Sequence, residues 1–247
     1  MSEPVSTMES PAIQRALGRS ALYQLLALAF SYPDTECLER FDAYLADVAQ
    51  HPIAADPGIE DALSGLFGSS VIDRTALEAE HIRLFAGAVL CSPHETEYEF
   101  DPFAKVRQLA DISGFYQAFG LRLAPGRRTL PDFIATELEF MSLLTRKEAY
   151  ASLRGWDEQR EIAARAARSF LADHLGRWFE TFCDDAGAQA GEGSFYAAAA
   201  ALCRRFLQQE VAAAGVQPAR LTARTIRLSD AEPASCWLDS PTPPSSP

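Results

Sequence analysis

The chain carries helical periodicity almost from end to end and next to no period-two alternation, which restricts it to folds made of packed helices. Leu17, Ala21, Leu25 and Leu28 recur at helical spacing. Before them, Ser10-Pro11 reads as an N-cap followed by proline at the first helical position; after them, Pro33 stops the run. Asp34 predicts the cap of a second helix, with Leu38, Phe41, Leu45 and Val48 on one face. A short third helix is expected from Ile59 to Phe67. Asp73 predicts the cap of a fourth, with Leu77, His81, Leu84 and Phe85 inward. The pattern fails from Ala86 to Asp101, restarts at Asp101-Pro102 and ends at Gly120. Leu121 to Leu130 holds Pro125, Gly126 and two arginines and reads as a linker. Pro131 then opens a strong helix with Asp132 as its cap and Ile134, Leu138 and Met141 inward. Two long helices follow, near Asp157 to Asp184 and Ser194 to Ala214. About one residue in six is Ala, the strongest helix former. The best strand candidate, Leu221 to Leu228, is short. The fold class expected is all-α: a single helical bundle domain over residues 11–228, with a hinge-like linker at 121–131. Residues 1–10 and the proline- and serine-rich 229–247 are expected to be flexible ends, the latter a disordered tail dispensable for folding.

At 247 residues the chain is long enough for one sizeable core. It has no 18-residue uncharged apolar run, so no transmembrane span is expected, and its polar start does not read as a secretory signal. The formal charge is -12 at pH 7, which argues against nucleic-acid phosphates or an anionic membrane as partners and favours a cationic one. Five cysteines, an odd number with no CxxC, point to free thiols in a reducing cytoplasm.

Catalytic signatures are scarce. Neither GxSxG, GxxxxGK[ST] nor GxGxxG occurs. Glu78-x-x-His81 has the spacing that places two metal ligands on one helical face, but di-iron bundles use two such motifs plus two further glutamates. A carboxylate-metal enzyme built on Glu78 and His81 is therefore the rival reading, and a buried His on a core face the simpler one. No cofactor or metal is expected.

Two clusters stand out. The first, His94-Glu95-Thr96-Glu97-Tyr98-Glu99-Phe100-Asp101, mixes four carboxylates with two aromatics in a loop between apolar helices. Such a loop suits a peptide that carries arginines followed by a hydrophobic stretch; its plain alternative is a solvated acidic loop anchored by Tyr98 and Phe100. The second cluster is Pro131-Asp132-Phe133-Ile134 with Glu137-Leu138-Glu139-Phe140-Met141. Glu137 shares a turn with core residues, and a buried carboxylate needs a partner. Glu95, Glu97 and Glu137 are expected to line one side of a shared surface.

These clusters resemble a known family. Glu80-His81-Ile82-Arg83-Leu84-Phe85 followed by Pro93-His94-Glu95-Thr96-Glu97-Tyr98 is similar to the ExxxLF…PxE(S/T)xY signature of the TorD/DmsD/NarJ chaperones. Pro131-Asp132-Phe133-Ile134 with Glu137 to Met141 looks like their PDHxxxELxFM signature. The resemblance spans roughly Ala16 to Ala213. HETEY followed by QLADISGFYQAFGL is most similar to the branch that serves type II dimethyl-sulfoxide-reductase-family enzymes, such as ethylbenzene dehydrogenase, selenate reductase and chlorate reductase.

The resemblance implies a TorD-like all-α chaperone, cytoplasmic and not itself an enzyme, monomeric or a domain-swapped dimer. It would bind the molybdopterin-containing catalytic subunit of its client during cofactor insertion, and the client's twin-arginine leader peptide before export. The family's binding and hinge residues would map to Glu95, Glu97, Tyr98, Asp132 and Glu137; Phe100 and Phe133, beside them in the two clusters, are also expected to contact the partner. The family's His after Pro-Asp is Phe133 here, so a role resting on that imidazole, nucleotide binding included, does not carry over. A generic helical interaction module without such a client is the remaining alternative.

Overall fold

The computed structural model describes residues 8, 10–68, 73–86, 90–122 and 130–221. Among these, nine α-helices form and no strand does: α1 Pro11–Phe30, α2 Thr35–Val48, α3 Pro57–Gly68, α4 Arg74–His81, α5 Pro102–Ala118, α6 Ile134–Arg154, α7 Asp157–Phe170, α8 Gly176–Ala190 and α9 Phe195–Ala214. The strand candidate at 221–228 lies outside the described residues except for Leu221. The tail at 229–247, most of the N-terminal ten residues and linker residues 123–129 also lie outside them.

α1 is the axis of the bundle. Every residue from Ser20 to Phe30 is buried, so this half of the helix is enclosed all round rather than on one face. Its most extensive neighbour is α6, with α2 and α9 completing the enclosure. Small residues let α1 and α6 approach: each of Ser20 and Ser142 donates its hydroxyl to the other's carbonyl at 2.9 Å. The caps fall where the sequence puts acids and serine. Asp34, Asp73, Asp101 and Ser194 accept from the backbone N–H of Cys37, Thr75, Phe103 and Ala197. Ser10 stands at its expected N-cap position but makes no side-chain cap bond.

Two expectations are corrected. The single helix expected from Asp157 to Asp184 is interrupted by a π turn at Leu171–Leu175, which ends α7 and begins α8. Gly176 makes this possible, since a Cβ there would sit 2.1 Å from the Leu171 carbonyl oxygen and 2.7 Å from Pro218 Cγ. A wide turn of this kind shifts the side chains after it around the helix axis. Secondly, Asp132 does not cap α6. Phe133 takes the N-cap position without a side-chain bond, and the Asp132 carboxylate points to another loop.

A polar cluster on the far side of α1 was not anticipated. Arg19 grips Glu210 of α9 with Nε to Oε1 and one terminal nitrogen to Oε2, both at 2.8 Å, and reaches Glu148 of α6 at 3.2 Å. Tyr23 donates to Glu210 Oε2 at 2.9 Å. Burial opposes the charge on Arg19, but Glu210 more than offsets it and holds the guanidinium protonated. The interaction ties three helices together at one point.

Candidate functional site

The two sequence clusters fold into one clamp. Ile134 N donates to the Pro93 carbonyl at 2.9 Å and Glu95 N to the Asp132 carbonyl at 3.0 Å, which pairs His94 with Phe133 as an antiparallel bridge. The pairing turns the Asp132 side chain toward the first cluster. There it accepts from Thr96 N at 3.1 Å and Thr96 Oγ1 at 2.6 Å, and its other oxygen lies 3.2 Å from His94 Nδ1. Burial alone would push Asp132 up. The bonds from His94 and Thr96 outweigh burial and hold its carboxyl below the usual range, so it stays ionised. Tyr116 of α5 donates to the Pro131 carbonyl at 2.8 Å, and Tyr98 to the Ser92 carbonyl at 2.8 Å.

Beneath the clamp two glutamates meet, each fully buried. Glu95 comes from the 3-10 turn Glu95–Tyr98, and Glu137 from the first turn of α6. Donors converge on Glu95: Gln108 Nε2 at 3.0 Å, His174 Nδ1 at 3.3 Å and, more distantly, Arg177 at 3.9 Å. Glu137 receives only Trp178 Nε1, at 3.2 Å. Its second oxygen has no donor aimed at it. Burial first, then the neighbouring Glu95, push the Glu137 carboxyl well above its ordinary range, with Trp178 opposing. Protonated, Glu137 turns its orphaned oxygen into a donor toward Glu95. A second negative charge beside Glu95 is what this interior disfavours at Glu137.

His174 extends the network outward, with Nε2 at 3.1 Å from the exposed Asp111 of α5. The π turn is what brings His174 to Glu95 and Trp178 to Glu137. Gln108, His174 and Trp178 escaped the reading of the sequence. A signal existed: Phe170, His174 and Trp178 recur every four residues along a face that is otherwise apolar, so the imidazole had to be buried and bonded.

The seven expected contact residues thus divide. Glu95, Tyr98, Asp132 and Glu137 are interior. Glu97 and Phe100 are on the surface; Glu97 has Lys105 at 3.9 Å, and Phe100 is 58% exposed. Glu95 and Glu137 do come together as expected, but in the core and not along a surface, because donors from α5, α8 and the π turn surround them there. Phe133 is half-buried and lines a cleft of about 360 Å³ between the end of α1, the start of α2 and the start of α6. Leu28, Tyr32 and Ala135 give this cleft apolar walls. Asp34, Glu36 and Glu139 supply three acids against the one cation of Arg40. His81 also lines it; burial lowers its pKa to about 4, so it adds no charge at neutral pH.

The Glu78–His81 pair does not converge on one point. Glu78 Oε1 accepts from Arg74 at 2.8 Å, whereas His81 Nδ1 lies 3.0 Å from the Tyr196 hydroxyl within a nest of aromatic rings. No group of three His, Cys, Asp or Glu placed to hold a metal ion occurs among the described residues. Cys37, Cys91, Cys183 and Cys203 are buried free thiols.

The clamp lies inside a segment shared with known proteins. Residues 49–184, more than half of the chain, match the sequence model of the nitrate reductase delta subunit family. The perchlorate reductase assembly chaperone protein of Dechloromonas aromatica is 28% identical over 79% of this chain and 89% of its own. The selenate reductase assembly chaperone protein of Thauera selenatis is 30% identical over 68% of this chain and 80% of its own. The chlorate reductase assembly chaperone protein of Ideonella dechloratans is 30% identical over 65% and 72%. With both motifs and the clamp they build inside that match, the chain belongs to the nitrate reductase delta subunit family, the TorD- and NarJ-like proteins its motifs resemble.

Proposed function

We propose that the chain is an assembly chaperone that holds the molybdopterin-containing catalytic subunit of a dimethyl-sulfoxide-reductase-family enzyme until its cofactor is in place, and that it also takes that subunit's twin-arginine leader. The role is binding in the cytoplasm, with no reaction of its own. Relatives named as assembly chaperones of perchlorate, selenate and chlorate reductases support the first part. No described helix is long and apolar enough to cross a membrane.

The observation that carries the leader-binding part is the acid-lined cleft at Phe133. Three acids against Arg40 leave it negative. Tyr32, 47% exposed, offers a ring face on which a guanidinium stacks, and Glu36 offers a carboxylate for paired hydrogen bonds. The clamp behind Phe133 holds this wall in place without consuming the cleft's charge. Calorimetry with a client leader peptide tests the reading. Glu36→Gln with Glu139→Gln is expected to weaken binding roughly tenfold or more, with greater loss at low salt, as for charged hydrogen bonds. Unchanged affinity in the double variant would remove the cleft from the reading, and failure of the intact protein to co-purify with any catalytic subunit would remove the chaperone role.

A further inference from the structure

The C-terminal end of α6 carries cations that no acid of the described structure neutralises. Arg146, Lys147, Tyr150 and Arg154 are exposed. At 3.6 residues per turn they share about 100° of the helix surface and span about 12 Å of its length. Among the described residues no carboxylate pairs with Arg146, Lys147 or Arg154. Arg146 reaches only the Ser142 hydroxyl, at 3.4 Å, and Arg154 lies over the rings of Tyr150 and Trp156, 5.9 and 5.4 Å from their centroids. Two acids close in sequence are committed elsewhere, Glu148 to Arg19 and Asp157 to Arg160. Arg74, Lys105 and Arg168, by contrast, each have a carboxylate within 4 Å. The chain's formal charge is -12, so three unpaired cations on one helix face stand out. The helix dipole favours Arg154, in the last turn, but it fades within that turn and does not account for Arg146 and Lys147.

We propose that this face, together with Trp156, docks a short acidic segment of a partner protein. Carboxylates of the segment meet Arg146, Lys147 and Arg154, and an apolar side chain among them packs on Tyr150 and Trp156. Those rings are 52% and 45% exposed and meet edge to face at 5.7 Å. Stacking occupies the flat side of the Arg154 guanidinium and leaves its N–H edge to a carboxylate. The corner is held ready: Gly155 takes a φ of 68°, and Trp156 N donates back to the Ala151 carbonyl at 2.8 Å. Exposed Trp, Tyr and Arg held in this way are the residue types that dominate binding at protein interfaces. Charge selects the occupant. A nucleic acid or an anionic membrane is an extended array of negative charge and meets the -12 of the whole chain. A short acidic segment meets only the three cations, because charges beyond about 8 Å are screened at physiological salt. The acid-lined cleft at Phe133 lies at the opposite end of α6, about 20 Å along the helix, so this surface is separate from the one given to the leader.

Fluorescence anisotropy on the intact protein tests this. The probe is a labelled peptide of glutamates around a central leucine, and the control is the same peptide with glutamine for glutamate. The glutamate peptide binds, added salt weakens it, and the control binds at least tenfold more weakly. Arg146→Ala with Lys147→Ala, and Arg154→Ala by itself, each lower the affinity at least tenfold with unchanged melting, since all three positions are exposed. Trp156→Ala lowers it as well. Arg154→Lys, which keeps the charge without the flat guanidinium, does not restore it. Arg74→Ala, whose cation is already paired with Glu78, leaves binding unchanged. No binding of the glutamate peptide, equal binding of the control, or full affinity in the triple variant Arg146→Ala, Lys147→Ala, Arg154→Ala overturns the proposal. So does displacement of the peptide by phosphatidylglycerol vesicles or a single-stranded oligonucleotide at lower charge concentration, which would give the face to lipid or to nucleic acid instead.

Discussion

Two buried glutamates, Glu210 and Glu137, are given opposite partners. Glu210 faces the Arg19 guanidinium at 2.8 Å and accepts from the Tyr23 hydroxyl at 2.9 Å. Glu137 faces another carboxyl and one indole N–H, and burial and that carboxyl push it well above its ordinary range. Burial is nearly equal, so the partner decides. One network is an ion pair that loses most when either member is removed; the other tolerates a neutral substitute. The contrast separates the body of the bundle from its clamp. Around Glu210 charge fastens α1, α6 and α9, whereas beneath the clamp a proton keeps two motif residues together.

The largest effect is expected from breaking the charged network. Arg19→Ala leaves Glu210 buried with only a tyrosine donor, and is expected to cost about 3–5 kcal/mol in a denaturant melt. Arg19→Met with Glu210→Leu restores much of that, since replacing both charges with apolar groups removes the unpaired one. A loss below about 1 kcal/mol for the single variant would show that water reaches Glu210 and that the comparison with Glu137 fails.

Next comes the clamp itself. Asp132→Asn keeps the size of the side chain but replaces an acceptor of two Thr96 bonds with an amide. A loss of about 1–3 kcal/mol is expected. Its pH signature has a definite sign. Asp132 is held below its ordinary 3.8, so its contribution is present above that value and disappears as pH falls through the folded value. His81 adds to acid loss: its pKa drops from 6.5 to about 4, so stability is lost as pH falls across that interval.

Glu137 works in the other direction, which sharpens the comparison further. Its pKa is raised above 4.5, so its stabilising proton is fully present below that value, and stability is lost as pH climbs toward the folded value. The slope is at most about 1.4 kcal/mol per pH unit for one proton. Glu137→Gln, whose amide donates toward Glu95 at every pH, removes this slope and melts at or above the wild-type temperature at pH 8. Calorimetric melting from pH 5 to 9 decides. The same slope in both proteins would mean that the proton is not on this pair.

How much of this was legible in the sequence depends on the range of the interaction. Caps by Asp34, Asp73, Asp101 and Ser194 act within three residues, and all were readable. The inward row Leu77, His81, Leu84, Phe85 is buried as expected, although Leu84 and Phe85 lie in a π turn at Ile82–Ala86 and not in α4 itself. Asp132 looked like a cap because the next turn is helical, but its partner Thr96 lies 36 positions away, and only the backbone pairing at Pro93–Glu95 reveals it. Arg19 and Glu210 are 191 positions apart, and no local rule joins them. The π turn was hidden for a related reason: it depends on Gly176 giving room to Leu171 and Pro218, while the residues themselves suit an unbroken helix.

The smallest effect belongs to Glu97, and its smallness is the point. Glu97 stands one residue from the buried Thr96 and two from the buried Glu95, yet its side chain is 59% exposed and its one cationic neighbour, Lys105, is 3.9 Å away. Solvent screens such a pair, so Glu97→Gln should change stability by less than about 0.5 kcal/mol. If the motif's acids all served the fold, Glu97 would behave like Glu95, whose loss strips the acceptor from Gln108 and His174. A neutral Glu97→Gln that nonetheless weakens client association would assign the outward acid of the motif to binding and the inward one to the clamp. A melting change above about 1 kcal/mol would instead show that the 3-10 turn transmits charge to the core, and the division between the two roles would fall.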